Sequence, residues 1–155
     1  MKPMLLAVYL TALHRCERSL ADGFGAVAKR HADEPEIAGT APLLAAWSEQ
    51  HVARLGDALA RFGKKPPRDA KLLASALFAG PRNGPVGLLD DLLELAMLAG
   101  QVQLLWALAG QGARVLRDAE LLEACTTLPV QTDRQKVWAE TQIKSLAPQL
   151  LIMPS

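Results

Sequence analysis

A glutamate and a histidine stand where this chain is otherwise apolar. Glu17 interrupts the run Leu6, Leu10, Leu13, Leu20, Phe24, Val27, and His51 interrupts Leu44, Leu55, Leu59, Phe62. Steps of three and four residues line up one face of a helix. A carboxylate and an imidazole on two core stripes can ligate a cation, or they can hydrogen-bond each other as a buried pair. Ser48 precedes His51 by three residues and shares its face. Glu49 lies about 200° round the helix from His51, at ~100° per residue, and cannot point the same way. Further along, Glu94, Gln101, Gln131 and Arg134 are the polar residues available to join such a centre.

Other chemistry is thin. All three histidines, His14, His31 and His51, lie in the first third of the chain. His14 falls beside the main stripe. His31 with Asp33, Glu34 and Glu36 is read as a solvated polar turn rather than a cation site. Cys16 and Cys125 have no second cysteine or histidine at ligand spacing and are expected to be small core residues. No glycine-rich phosphate loop follows a strand, and no nucleophile–base–acid set can be assembled.

Composition restricts the setting. The 17 basic and 16 acidic residues nearly cancel, and they form no basic stripe of the kind that releases counterions from nucleic acid. Lys64-Lys65-Pro66-Pro67-Arg68 reads as a solvated linker. The apolar N-terminus lacks a small-residue cleavage site, so a signal peptide is not expected and a cytoplasmic location is. The uncharged run between Glu94 and Arg114 approaches a bilayer span, but its glutamines fit a buried helix better. Among 155 residues half are hydrophobic. Leu and Ala dominate and no segment alternates, so one all-helical domain over residues 1–155 is expected.

The elements that must position Glu17 and His51 can be placed. Helix 1 spans about 3–30, with Pro3 in its first turn. Glu34-Pro35 breaks the chain. Helix 2 begins between Glu36 and Pro42, with a break near Gly39-Thr40, and ends at Phe62-Gly63. The short connection makes these two an antiparallel hairpin. Residues 63–84 form a long crossover that carries a short helix over 69–78. Helix 3 runs from Pro85 to about 110–112 and is apolar almost all round, so it is covered on more than one side. Asp118 caps helix 4. Pro129 splits that helix, and its second piece ends near Leu146, before Pro148. The tail Leu150–Met153 folds back on the bundle or on a partner. A connection of about twenty residues can run the length of a helix, so helices 2 and 3 can lie parallel.

In Glu17, in Trp47-Ser48-Glu49-Gln50-His51, in the crossover and in the split fourth helix, the chain resembles the ferritin-like superfamily. The resemblance spans nearly the whole chain. It implies an up-down four-helix bundle with one long crossover between helices 2 and 3, and a carboxylate-bridged di-iron or di-manganese centre. That centre takes a Glu from helix 1, Glu-x-x-His from helix 2, a Glu from helix 3 and Glu-x-x-His from helix 4. Glu17 and His51 match. Ser48 stands in place of the helix-2 Glu, and Glu94 is the helix-3 candidate. Helix 4 has no histidine and offers Gln131-x-x-Arg134. The favoured expectation is a degenerate site, in which Glu17 and His51 form a polar pair completed by Gln131 or Arg134, with no cofactor. The alternative is an iron- or manganese-binding protein of iron or oxidative-stress handling. The expected function is non-catalytic, through protein–protein contact or self-association as a homodimer, without nucleic acid and without a membrane span.

Overall fold

The described residues of the computed structural model are 4–62 and 83–154, and every element among them is a helix. In order they are α1 (Met4–Arg30), α2 (Pro35–Phe62), α3 (Gly84–Leu116), α4 (Ala119–Thr127) and α5 (Pro129–Leu151). The crossover and its short helix at 69–78 lie outside the described residues.

Side-chain contacts fix the directions. Glu17 meets His51 and a Cβ on Gly56 would lie 3.9 Å from His14 Nε2, while α3 touches α1 through Trp106 to Glu17 and through Asp91 to Arg30 and His31. α1 is therefore antiparallel to both α2 and α3. Gln103 bonds Asp133, and Gln131 and Gln135 reach His51 and Ser48, so α5 is antiparallel to α3 and α2. α1 packs most extensively on α2, and α3 on α5. The shared core includes Leu10, Leu13, Leu20, Phe24, Leu55, Leu92, Leu95, Leu98, Val102 and Trp106, all essentially inaccessible.

Local rules explain most boundaries. Asp118 caps α4, its carboxylate accepting the Leu121 N–H at 3.1 Å, which satisfies one of the orphan donors of a helix start. Burial works against ionisation of Asp118, but the Leu121 N–H and the Arg61 guanidinium outweigh it and hold its carboxyl below the ordinary value. Arg117 adopts the left-handed conformation, φ 54°, ψ 36°, and ends α3. That is four residues or more beyond the expected end, because Gly110 and Gly112 lie against neighbours and do not terminate the helix. A Cβ on Gly112 would sit 2.8 Å from Leu6 Cδ1, and one on Gly110 would be 3.5 Å from Cys125 Cβ. These two glycines let α1 and α4 approach α3 closely.

Three expectations need correction. α2 starts at Pro35 and runs unbroken past Gly39 and Pro42, since the buried residues Ile37, Ala41, Leu44 and Ala45 hold its first turns on the core. α5 continues through Pro148 to Leu151. Proline there removes only one late hydrogen bond, and Lys144, whose carbonyl loses it, is exposed. The tail does not fold back on the bundle: Leu151, Ile152 and Met153 are 75%, 85% and 61% exposed. α3 is covered on more than one side, by α1, α4 and α5, and leaves Leu104 74% exposed on the side they do not reach. By length and composition α3 is the one described helix that could cross a membrane, and 39% of its most apolar window is buried inside the protein.

Candidate functional site: a closed polar centre

Glu17 and His51 meet in the middle of the bundle, both fully buried. His51 Nδ1 lies 2.7 Å from Glu17 Oε2, and His51 Nε2 lies 2.8 Å from Gln131 Oε1. Each ring nitrogen thus has an oxygen within hydrogen-bond distance, an arrangement that favours the protonated ring. Burial pushes the His51 pKa down, but the hydrogen bond and charge of Glu17, with the Gln131 oxygen, more than offset it and leave the pKa raised. α3 adds a second donor to the same carboxylate oxygen: Trp106 Nε1 donates to Glu17 Oε2 at 2.9 Å. The indole also stands edge-on to the imidazole, with centroids 6.0 Å apart at 90°. Four segments thus converge on one carboxylate–imidazole pair, Glu17 from α1, His51 from α2, Trp106 from α3 and Gln131 from α5.

One turn along, Gln135 closes the next layer. Its Nε2 donates to Ser48 Oγ and to the Leu44 carbonyl, both at 2.9 Å. Glu17 Oε1, Thr132 Oγ1 and Gln135 Oε1 are buried and have no hydrogen-bond partner from the protein.

The remaining candidates stand elsewhere. Arg134 is exposed and takes no part. It is displaced about 100° round α5 from Gln135, and the buried face of that helix is made by Thr132, Gln135 and Ala139. Glu94 is half-buried on the flank of α3, where the core face is carried by Asp91, Leu95, Leu98 and Val102. Gln101 accepts a long hydrogen bond from the Cys16 thiol, 3.5 Å. Burial, with the neighbouring Glu17 charge, pushes that thiol up to about 11, and burial with Asp118 does the same for Cys125. Both thiols stay protonated near neutrality and are poor nucleophiles.

A second buried polar pair is not part of the expected centre. His31 Nε2 lies 2.8 Å from Asp91 Oδ2, and Arg30 reaches Asp91 Oδ1 at 3.3 Å. Both His31 and Asp91 are buried. The segment after α1 is therefore not a wholly solvated turn, because its histidine points inward. Asp91 sits between Leu88 and Leu95 on the core face of α3, and that spacing is the sequence signal that locates it.

The iron or manganese pair that a ferritin-like resemblance implies does not fit these residues. Bridging two cations takes several carboxylates, and among the described residues Glu17 is the only one in the centre. Both His51 nitrogens are engaged by oxygens, so neither presents a lone pair to a metal. Ser48 is held by Gln135. Among the described residues no cluster of three or more His, Cys, Asp or Glu side chains is placed to hold an ion. Compared with protein families, with curated proteins and with solved structures, the chain matches no family model, no curated protein and no solved structure.

Proposed function

We propose that this chain is a non-catalytic helical bundle of ferritin-like type, acting from the cytoplasm through self-association, with a polar centre that serves the fold. One observation carries the reading. The pair at the position of the resemblance is engaged by protein groups, Glu17 Oε2 lying against His51 and Trp106 and each His51 nitrogen against an oxygen, which leaves Glu17 Oε1 as its one buried atom without a partner. Chain direction supports the ferritin-like part: α2 and α3 both run antiparallel to α1 and so parallel to each other. The self-association part rests on α3, whose side turned away from the core exposes Leu93, Met97, Leu104, Leu108 and Val115. Isolated proteins rarely leave so continuous an apolar surface in water. Sedimentation velocity over a micromolar range tests it. A concentration-dependent oligomer is expected, and a monomer at high micromolar concentration would remove the proposal. Binding of iron or manganese, the second reading, has only the residues Glu17 and His51 in its favour.

A further inference from the structure

Three buried oxygens have no hydrogen-bond partner from the protein: Glu17 Oε1 on α1, and Thr132 Oγ1 and Gln135 Oε1 on α5. All three residues are fully buried. Leaving such an atom unbonded is costly, and native cores rarely do so. What the three lack is protons. A carboxylate oxygen and an amide oxygen only accept, whereas a hydroxyl donates one proton and can also accept. Thr132 can therefore serve one of the other two at most, and the second still needs a donor. Turning the Gln135 amide over does not supply it. The swap would set the amide oxygen against the Leu44 carbonyl, which only accepts, where the nitrogen now donates at 2.9 Å.

Register brings the three into one layer. α1 and α5 both run antiparallel to α2, so they are parallel to each other. They face each other across the core: Phe24 of α1 meets Trp138 of α5 with ring centroids 6.0 Å apart. Seven residues back along each helix stand Glu17 and Gln131, already joined through His51. Glu17 is thus level with Gln131. At ~1.5 Å rise per residue, Thr132 lies ~1.5 Å further along and Gln135 ~6 Å. Thr132 and Gln135 are three residues apart, on one face of α5, and that face is turned to the core.

We propose that the polar centre is a built site for one internal water, which donates to Glu17 Oε1 and to Gln135 Oε1 and accepts from the Thr132 hydroxyl. Two protons and one acceptor match what the three atoms lack, and internal waters characteristically make about three bonds of this kind. The class of ligand follows from charge. Burial opposes a charge on His51, but Glu17 and Gln131 outweigh it and leave the His51 pKa raised. The carboxylate already faces a ring that favours its proton, and a cation on the other oxygen would meet like charge. A neutral donor meets none. The water links α1 to α5 through the core, and it is independent of self-association.

Water-selective NMR on methyl-labelled protein tests the site. Residue 132 is fully buried, so a cross-peak from its methyl to the water resonance needs water inside the core. Thr132→Val removes the hydroxyl, whose own exchanging proton mimics that signal, and keeps two acceptors for the water. The cross-peak should persist in this variant and vanish when Gln135→Leu is added. Its absence from folded Thr132→Val, or its persistence in the double variant, would overturn the proposal. A crystal structure of the wild-type chain gives a reading free of substitutions. One solvent peak within hydrogen-bond distance of Gln135 Oε1 and Glu17 Oε1 is expected, and a direct bond between Thr132 and Glu17 with no solvent beside them would overturn the site. A melting temperature several degrees higher in potassium chloride than in equimolar tetramethylammonium chloride would assign the site to a cation and overturn the water.

Discussion

Gln135 and Ser48 are bonded to each other at the position where a bridging carboxylate would stand in a ferritin-like metal site. The amide nitrogen of Gln135 donates to Ser48 Oγ at 2.9 Å and to the Leu44 carbonyl at 2.9 Å. A hydroxyl needs a partner when fully buried, and the amide from α5 supplies it. A serine at this position takes a donor from the neighbouring helix, where a metal-bridging carboxylate would need a ligand set.

This gives the first prediction. Gln135→Leu leaves Ser48 Oγ without its donor and should lower stability by about 1–3 kcal/mol, the usual result of stranding a buried polar group. Gln135→Leu combined with Ser48→Ala should recover part of that loss. Chemical denaturation of the three variants measures it, and a double variant less stable than Gln135→Leu alone would refute the pairing.

The central pair should show stronger coupling. Glu17→Leu or His51→Leu alone leaves a buried charge or a buried ring without its partner, and each should cost about 3–5 kcal/mol. Removing both should cost well under the sum, although Trp106 Nε1 and Gln131 then lose their acceptor and donor. A double-mutant cycle reads the coupling directly. Additive losses would mean that the two residues act independently.

The pair also sets a pH dependence. The His51 pKa is raised above its ordinary 6.5 in the folded chain. The folded state therefore binds the proton more tightly than the unfolded state. The stabilisation is fully present below 6.5 and is lost as pH rises through the folded value. The stability difference between wild type and His51→Gln should shrink on going from pH 6 to alkaline pH. A difference that grows over that interval would mean that the imidazole is held neutral.

The sequence revealed the parts of this centre that break a pattern. Glu17 and His51 are polar residues in leucine-rich stripes, and a core position that admits a charge has to pair it. The helices of the hairpin and the Asp118 cap follow from equally local signals. Trp106 did not stand out, because an indole reads as one more apolar residue and its N–H gains meaning only when Glu17 arrives from 89 positions away. Gln135 is less conspicuous in the sequence than Arg134, whose charge draws attention although it is turned to solvent. The His31–Asp91 pair joins residues 60 positions apart and depends on α1 and α3 being antiparallel neighbours, which no local spacing states. The persistence of α5 through Pro148 was hidden for another reason: a proline near a helix end, on an exposed face, removes little.

The central claim is that the Glu17–His51 pair is held by protein groups and needs no ion, and metal-linked stability tests it most directly. A ligand that binds the folded chain raises its unfolding midpoint in proportion to the logarithm of its saturation. Thermal unfolding of untagged protein should give one midpoint with chelator, with Fe(II) and with Mn(II), and the protein should not accelerate Fe(II) oxidation. A midpoint raised by several degrees at near-stoichiometric Fe(II), accompanied by iron oxidation, would contradict the account and assign Glu17 and His51 to a working metal site.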